Sequence, residues 1–289
     1  MLPLADFIAQ SMQVVRTKKD MESIVKSILL KNKTIGFVPT MGYLHSGHLS
    51  LLKTAQKSND VSVCSIFVNP TQFNNTEDFK LYPRNEKHDF ELLETNGCDI
   101  VFAPEDELVN YIEDIALDLK GVDSLMEGKF RPGHFKGVVN IVALLFTIVK
   151  PSAAYFGEKD FQQLAIVKML AKSHFPAIEI VSCATSREES GLAMSSRNAR
   201  LSKEEKQKAL AISKALFYIK EEAKSTKETQ ELKEKAIDLF FKSGELQLDY
   251  LEISDMHSLL PIEKIEQRAV VCIAAFCGKV RLIDNIVIN

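Results

Sequence analysis

The segment PTMGYLHSGHLS, residues 39–50, places His45 and His48 three positions apart with Gly47 between them. It follows a short apolar strand and begins a helix. Free N–H groups and the positive end of the helix dipole attract anions there. Gly47 has no Cβ to hold a phosphate away, and the two imidazoles add hydrogen-bond donors. The segment therefore indicates a phosphate-binding turn.

Other interpretations of this turn stay open on its residues alone. Gly42 and Gly47 have P-loop spacing, but His48 and Leu49 stand where Lys and Ser or Thr are required. The chain contains no GxGxxG fingerprint. A metal site would need a third ligand, and no HExxH motif or nearby cysteine supplies one. Two core histidines with satisfied hydrogen bonds also fit.

Amides follow the next apolar strand, in SIFVNPTQF at residues 65–73. Strands of a parallel sheet gather ligands at their carboxyl ends, so Asn69 and Gln72 are expected beside the histidine turn. Their amides can bind a carboxylate or a hydroxyl group. Ordinary turn chemistry at Asn-Pro explains Asn69 but leaves Gln72 unexplained.

A third strand-to-helix junction carries charged residues, in YFGEKDFQQL at residues 155–164. Gly157 permits close approach of a ligand, and Lys159 can neutralise phosphate. Asp160 can bind Mg²⁺ or cap the helix. A capped helix start explains Asp160, but it does not explain Gly157 together with Lys159.

Two loops add further cations. EGKFRPGHFKGV, residues 127–138, is rich in glycine and positive charge, although a plain surface loop would look the same. GLAMSSRNARLS, residues 191–202, has two hydroxyls with Arg197, which suits a mobile phosphate clamp. Arg197 and Arg200 also fit as solvated surface cations.

Strand and helix signals alternate through the first two-thirds of the chain. VSVCSIFV, residues 61–68, is apolar on both faces, as in a central parallel strand. Helices are predicted at 17–31, 47–58, 84–96, 134–149 and 160–173, and further strands at 34–39, 99–102, 152–156 and 177–181. The pattern predicts an α/β fold with a Rossmann-like, doubly wound parallel sheet in a domain of residues 1–186. Amphipathic helices at 202–223 and 227–242, then strands at 248–253, 268–276 and 279–287, predict a smaller C-terminal α+β domain, 187–289.

Composition sets broad limits on the class of protein. The 289 residues are 46% hydrophobic and 26% charged, with a net charge of −3 that favours neither a nucleic-acid nor a membrane partner. Five scattered cysteines without a CxxC pair argue against a disulfide framework or zinc site and favour a reducing, cytoplasmic location. MLPLADFIAQ, residues 1–10, lacks a basic leader, so no signal peptide is expected.

Six segments together resemble the signature segments of the pantoate–β-alanine ligase (pantothenate synthetase) family, in order and spacing. They are PTMGYLHSGHLSL, SIFVNPTQF, DFKLYPR, RPGHFKGV, YFGEKDFQQL and LAMSSRNARLS. RLIDN at 281–285 resembles the family's closing segment, so the resemblance covers nearly the whole chain. The HxGH turn alone would indicate only the wider nucleotidyltransferase superfamily.

The resemblance implies a role for each matching residue. His48 matches the family's catalytic acid, with His45, Lys159 and Arg197 completing the catalytic set. Pantoate is expected at Gln72 and Gln163, and β-alanine at Gln72, with Asn69 and Phe67 lining the same pocket. Asp160 is the implied Mg²⁺ contact. The implied ATP site comprises Met41, Gly42, Tyr43, Leu44, His45, Ser46, Gly47, His48, Gly157, Glu158, Lys159, Asp160, Ser186, Met194, Ser195, Ser196 and Arg197.

Two positions depart from the family pattern. Ser186 stands where members usually carry an apolar residue near the adenine, so its contact is expected through the main chain. Ser46 replaces an acidic residue that is common within HxGH, and its side chain is expected to face solvent.

The implied reaction has two steps and small-molecule substrates. Pantoate carboxylate attacks the α-phosphorus of ATP, and β-alanine then attacks the pantoyl adenylate, giving pantothenate and AMP. The C-terminal domain is the expected lid, and the family suggests a homodimer. One rival function is an adenylyltransferase acting on a phosphate acceptor, which Gln72 and Gln163 disfavour. The other is a catalytically silent nucleotide-binding protein.

Overall fold

A computed structural model of the chain describes residues 11–289, so the expectation about a leader at residues 1–10 lies outside the described part. Its larger sheet contains β1 (Gln13–Val15), β2 (Ile35–Thr40), β3 (Val61–Ile66), β4 (Ile100–Phe102), β5 (Ala153–Gly157) and β6 (Glu179–Cys183). The strands are all parallel and lie in the order β1-β4-β3-β2-β5-β6. The chain proceeds outward from β2 to β4 and then returns to place β5 on the other side of β2. This reversal between β2 and β5 creates a crevice at their carboxyl ends.

Helices cover both faces of this sheet. They are α1 (Lys18–Leu29), α2 (Ser46–Ser58), α3 (Thr76–Leu81), α4 (Glu86–Thr95), α5 (Met126–Phe130), α6 (His134–Val149) and α7 (Phe161–His174). One face packs Phe37 and Val63 against α1, α6 and α7, and the other packs Val38 and Cys64 against α2 and α4. The strands read as continuous apolar runs because each face is buried. The predicted doubly wound α/β fold is confirmed.

The C-terminal part contains two helices and an antiparallel sheet. These are α8 (Lys203–Glu222), α9 (Thr229–Phe240), β7 (Gln247–Asp255), β8 (Ala269–Cys277) and β9 (Val280–Ile288). Gly278 has φ +57° and makes the tight turn between β8 and β9. Alternate side chains of β8 serve different cores. Val271 and Ile273 pack with α8 and α9, whereas Val270 and Cys272 join the core of the larger sheet. The smaller unit therefore packs directly on the larger one.

Most predicted elements lie where the sequence indicated. Helix α6 spans the predicted residues 134–149 and leaves only Lys136 and Thr147 exposed. The strand predicted at 177–181 was placed two residues early, since β6 is Glu179–Cys183. Strand β1 was missed because three residues carry too little periodicity to recognise. All five cysteines are buried and free. Within residues 11–289, no helix is long and apolar enough to cross a membrane.

Candidate active site

The main cavity lies in the crevice at the carboxyl ends of β2, β3 and β5 and measures about 220 Å³. Polar residues follow each of these strands in the chain, and the parallel arrangement brings those residues to one edge. Apolar side chains of α6, namely Val138, Ile141, Val142 and Leu145, form one wall. The cavity therefore combines an apolar wall with polar groups from several separate segments.

Asp89 of α4 holds the turn between β2 and α2 in place. Its carboxylate accepts the backbone N–H groups of Tyr43 at 2.8 Å and Leu44 at 2.7 Å. Gly42 has φ +77°, and a Cβ there would approach the Asp89 carboxylate to 2.9 Å. Burial raises the pKa of Asp89 although both backbone donors act to lower it. These contacts fix the course of the backbone through the turn.

His45 and His48 are arranged as neutral imidazoles. His45 caps α2, with its Nδ1 accepting Gly47 N–H at 3.2 Å, and His48 Nδ1 accepts His45 N–H at 3.3 Å. Acceptance at Nδ1 leaves the proton of each ring on Nε2. Burial, followed by the charge of Lys159, lowers the pKa of His45 to about 4. Burial, followed by His45 and Lys159, lowers the pKa of His48 to about 3. Near pH 7 both rings act as Nε2–H donors and not as cations.

Gly47 also makes room for the His45 ring. A Cβ on Gly47 would lie 2.9 Å from the His45 ring, so glycine is needed to seat that imidazole as the helix cap. At Gly157, by contrast, a Cβ would meet nothing within 4 Å. Since Gly157 lines the cavity, its missing side chain leaves room for a ligand.

Of the two amide side chains after β3, Asn69 supports the backbone, whereas Gln72 is available to bind a ligand. Asn69 caps the turn Pro70–Gln72, and its Nδ2 donates to Gly137 of α6 at 3.1 Å. Gln72 is 7% exposed, and its Nε2 contacts the sulfur of Met41 at 2.8 Å. Sulfur is a weak acceptor, so the Gln72 amide remains available to a stronger one. The two glutamines of α7 differ in the same way. The buried Gln162 side chain donates hydrogen bonds to backbone carbonyls, whereas Gln163 lines the cavity.

The turn after β5 is anchored by the C-terminal unit. The side-chain amide of Asn285, at the end of RLIDN, donates to the carbonyls of Glu158 at 2.9 Å and Lys159 at 2.7 Å. The Lys159 side chain is 16% exposed and lies 3.8 Å from Asp160. The backbone that carries Lys159 is therefore fixed at the cavity, and the ammonium group makes only a long ion pair with Asp160.

Residues 194–197 close the cavity from the C-terminal side. Ser196 Oγ donates to the carbonyl of Tyr43 at 3.1 Å, which joins this loop to the histidine turn. Arg197 donates to Asp78 at 2.8 Å, and Arg200 reaches the other oxygen of the same carboxylate at 3.1 Å. Burial raises the pKa of Asp78, but the contacts with Arg197 outweigh it, and the net pKa is lowered. One carboxylate thus holds both arginines.

Most of the residues predicted for the site meet at this cavity. Those lining it are Met41, His45, Gly47, His48, Phe67, Asn69, Gln72, Gly157, Lys159, Asp160, Gln163, Ser186, Met194, Ser195, Ser196 and Arg197. The lining does not include Gly42, Tyr43, Leu44, Ser46 or Glu158. The first three build the turn, and Glu158 supplies a carbonyl to Asn285. Ser46 is exposed, as predicted, although its hydroxyl also contacts Met194 at 2.9 Å.

Sequence reasoning missed several contributors to the site. Tyr82 lines the cavity and lies 5.7 Å beneath the Arg197 guanidinium. Asp78 lies in the same DFKLYPR segment, which offered a signal only through the family resemblance. Arg131 and His134 line a second, smaller cavity beside Lys159. The sequence showed these two only as members of a cation-rich loop and of the segment RPGHFKGV, with no role assigned to either.

His134 predicts a pH dependence of stability. It is 6% exposed, with Nδ1–H donating to the carbonyl of Gln72 at 2.8 Å and Nε2 3.1 Å from Arg131. Burial, followed by the charge of Arg131, lowers its pKa to about 4. Above pH 6.5 neither the folded nor the unfolded state is protonated. As the pH falls toward 4, only the unfolded chain binds this proton, so stability is lost.

The variant His134→Gln tests this titration by urea unfolding at several pH values. The stability advantage of the wild type over the variant should shrink by about 2 kcal/mol between pH 7 and pH 4.5. His257→Gln, which replaces an exposed histidine, should show no such trend. Parallel stability curves for the wild type and His134→Gln would contradict the assignment.

Comparisons with known proteins identify the family of this chain. Residues 13–287 match the family model described as pantoate-beta-alanine ligase. The pantothenate synthetase of Phocaeicola vulgatus is 50% identical over 281 residues, which cover 95% of this chain and 99% of the relative. The pantothenate synthetase of Pseudothermotoga lettingae is 45% identical over 281 residues, with coverage of 96% and 99%.

Solved structures give the same result. A crystal structure of pantothenate synthetase from Thermus thermophilus matches with a TM-score of 0.88 and 38% identity, covering 95% of this chain and 99% of that one. Pantoate-beta-alanine ligase from Francisella tularensis, crystallised with beta-gamma ATP and beta-alanine, matches with a TM-score of 0.80 and 37% identity, covering 96% and 97%. The chain therefore belongs to the pantoate–β-alanine ligase family.

Proposed function

We infer that this protein condenses pantoate with β-alanine at the expense of ATP, releasing pantothenate, AMP and pyrophosphate. The observation that carries this function is the single cavity in which the histidine turn, the Gln72 amide, Lys159 and the 194–197 loop converge. The Francisella relative, crystallised with an ATP compound and β-alanine, supports both substrates for this chain. The pantoyl adenylate intermediate follows from membership of the family.

In the first step, the protein positions two substrates and offsets charge. We assign the ATP phosphates to the start of α2, where backbone N–H groups and the Nε2–H groups of His45 and His48 can donate. Lys159 and Arg197 add positive charge as the pantoate carboxylate attacks the α-phosphorus and pyrophosphate leaves. Gln72 and Gln163 hold pantoate by its polar groups. Near pH 7 a neutral His48 stabilises charge by hydrogen bonding and does not need to release a proton.

In the second step, the β-alanine amine attacks the acyl carbon and AMP leaves. No protein nucleophile is required, so correct positioning supplies much of the rate. The apolar wall from α6 excludes water, which would otherwise hydrolyse the acyl adenylate. We further propose that residues 187–289 act as a lid on the domain 1–186, because the contacts of Ser196 and Asn285 join them across the cavity.

The residues present fit a Mg²⁺ ion that is bound mainly by the nucleotide. No group of three or more carboxylate, histidine or cysteine side chains converges within residues 11–289. Mg²⁺ commonly keeps several waters and binds one carboxylate together with substrate phosphates, and Asp160 on the cavity supplies such a carboxylate. When bound, the ion would offset negative charge on the phosphates. We also propose a cytoplasmic homodimer, for which sedimentation is the direct test of assembly.

Product analysis tests the function. Purified protein incubated with ATP, pantoate and β-alanine should form pantothenate and AMP in equal amounts, and omission of pantoate should abolish both. An adenylyltransferase would transfer AMP to a phosphate acceptor without β-alanine. Folded protein that binds ATP but forms no pantothenate would refute the proposal.

The pairing of Arg197 and Arg200 with Asp78 predicts how ATP changes stability. The three side chains are between 19% and 28% exposed. Asp78→Asn should therefore lower the free energy of unfolding by about 1–2 kcal/mol, since two guanidinium groups lose their carboxylate. ATP supplies a new anion to Arg197, so it should raise the Tm of the variant more than that of the wild type.

Thermal unfolding with and without ATP measures this difference. Asp114→Asn is the matched control, because Asp114 is an exposed carboxylate paired with Lys136 outside the cavity. It should show the wild-type response to ATP. An ATP-induced shift in Asp78→Asn no larger than that of the wild type would mean that Arg197 does not receive the phosphates.

A further inference from the structure

A second cavity of about 30 Å³ adjoins the main one, on the side of the C-terminal sheet. Lys159, Asp160 and Gln163 line both cavities. A group bound in the smaller cavity therefore lies beside a ligand in the larger one. The roles proposed for the histidine turn, Lys159 and Arg197 do not involve the other polar residues that line the smaller cavity.

Arg131 brings a guanidinium group with free donors into the smaller cavity. Its Nη1 lies 3.6 Å from Glu127, beyond hydrogen-bond distance. The Glu127 carboxylate has other hydrogen-bond partners. It accepts two bonds from Arg281, at 2.7 and 2.9 Å, and one from Tyr250 at 3.0 Å. The Arg131 side chain is 16% exposed. A guanidinium that is mostly withdrawn from water gains strongly from a carboxylate that reaches it.

The orientation of Arg131 is fixed by its neighbour. Because His134 donates from Nδ1 to the carbonyl of Gln72, its Nε2 is free to accept the Arg131 N–H at 3.1 Å. Glu127 sits one helical turn before Arg131 and is held in turn by Arg281 of β9. These contacts place the guanidinium close to Gln72, the amide assigned to both acid and amine substrates.

The second step of the reaction needs such a group. Its amine substrate carries a carboxylate, which is costly to withdraw from water without a partner. The amine and carboxylate of β-alanine are about 5 Å apart, so the carboxylate must bind close to the acyl group that the amine attacks. Lys159 and Arg197 are assigned to the phosphates, whereas Arg131 lines the smaller cavity and not the main one.

We propose that Arg131 binds the carboxylate of the amine substrate and so selects an ω-amino acid over a simple amine. His134 is the positioning residue that accepts a hydrogen bond from the guanidinium, and Glu127 is its longer ion-pair partner at 3.6 Å. The proposal rests on the proposed function, but it concerns only the second step. Formation of the pantoyl adenylate does not involve Arg131.

Separate assays of the two steps test this proposal on the full chain. Pantoate-dependent exchange of pyrophosphate into ATP reports the first step, and the KM for β-alanine reports the second. Arg131→Gln should raise that KM by about 10- to 100-fold while the exchange rate stays within about twofold of the wild type. Lys129→Gln, an exposed cation on the same helix, should change neither.

The neutral amide of β-alanine separates binding from a general structural role. The wild type should prefer β-alanine over this amide by about 100-fold in kcat/KM, and Arg131→Gln should lose most of that preference. A merely structural role would reduce the use of both amines equally, which would overturn the proposal. Equal use of both amines by the wild type would also overturn it, and this measurement needs no variant to fold. Absence of exchange in the wild type would instead refute the proposed function.

Discussion

Lys159→Ala should reduce pantothenate formation by about 10²- to 10³-fold without unfolding the protein. Lys159 is the ammonium group that lines both cavities, and its nearest carboxylate, Asp160, lies 3.8 Å away. Charge develops on the phosphates as pyrophosphate leaves, and in a water-poor cavity a preorganised cation stabilises that charge strongly. Because the effect belongs to the transition state, kcat should fall more than the KM for ATP rises.

The control for this variant is Lys168→Ala, which removes an exposed lysine from α7. It should retain wild-type turnover. Steady-state kinetics and circular dichroism of the two variants separate chemistry from folding. Turnover of Lys159→Ala within about threefold of the wild type would remove Lys159 from the catalytic set.

His48→Ala should lower kcat by a similar factor, about 10²-fold or more. The His48 ring holds its Nδ1 against the backbone of His45, so its Nε2–H is fixed as a donor, and the ring centroids of the two histidines are 4.1 Å apart. Its pKa of about 3 keeps the ring neutral through the physiological range. The activity of the free enzyme should therefore show no ionisation of His48 between pH 6 and 8.

Rates across pH 5–8 provide the measurement, with His88→Ala as the control because His88 is exposed on α4. The control should be indistinguishable from the wild type. His48→Asn retains a short hydrogen-bonding group and should recover part of the lost rate. Full activity in His48→Ala would contradict the role of the turn. A fall in wild-type kcat/KM that follows one ionisation near pH 6.5 and is absent from His48→Asn would contradict the neutral imidazole.

The residues that the sequence pattern predicted for the site meet at one cavity because they follow strands. His45, Gln72 and Lys159 each lie in a segment that follows an apolar strand, and the parallel arrangement brings such segments to one edge. The strands were recognisable because burial on both faces leaves a continuous apolar run, as in β3. Helix α6 was located to the residue for a similar reason, since it is apolar over nearly its whole length.

The supporting contacts could not be predicted from local patterns. Asp89 holds the histidine turn from 46 and 45 positions away, and Asp78 holds Arg197 from 119 positions away. Such pairs exist only once the helices are packed, and a lone aspartate in a helix sequence looks like any solvated charge. For the same reason, the sequence could not show that the Asn285 side chain donates to the Lys159 carbonyl from 126 positions away.

The sequence pattern also could not predict how the C-terminal unit packs against the larger one. An apolar strand such as β8 shows that both faces are buried, but not which partner covers each face. In the fold, one face belongs to α8 and α9 and the other to the core of the larger sheet. This shared strand, together with Asn285 and Arg281, links the smaller unit to both cavities.

The most direct test of the central claim is isotope exchange between pyrophosphate and ATP, measured with the wild-type protein in the absence of β-alanine. If the cavity activates pantoate as an acyl adenylate, exchange requires pantoate and proceeds without the amine. Exchange that needs β-alanine, or that proceeds equally well without pantoate, would contradict an adenylate formed in this cavity.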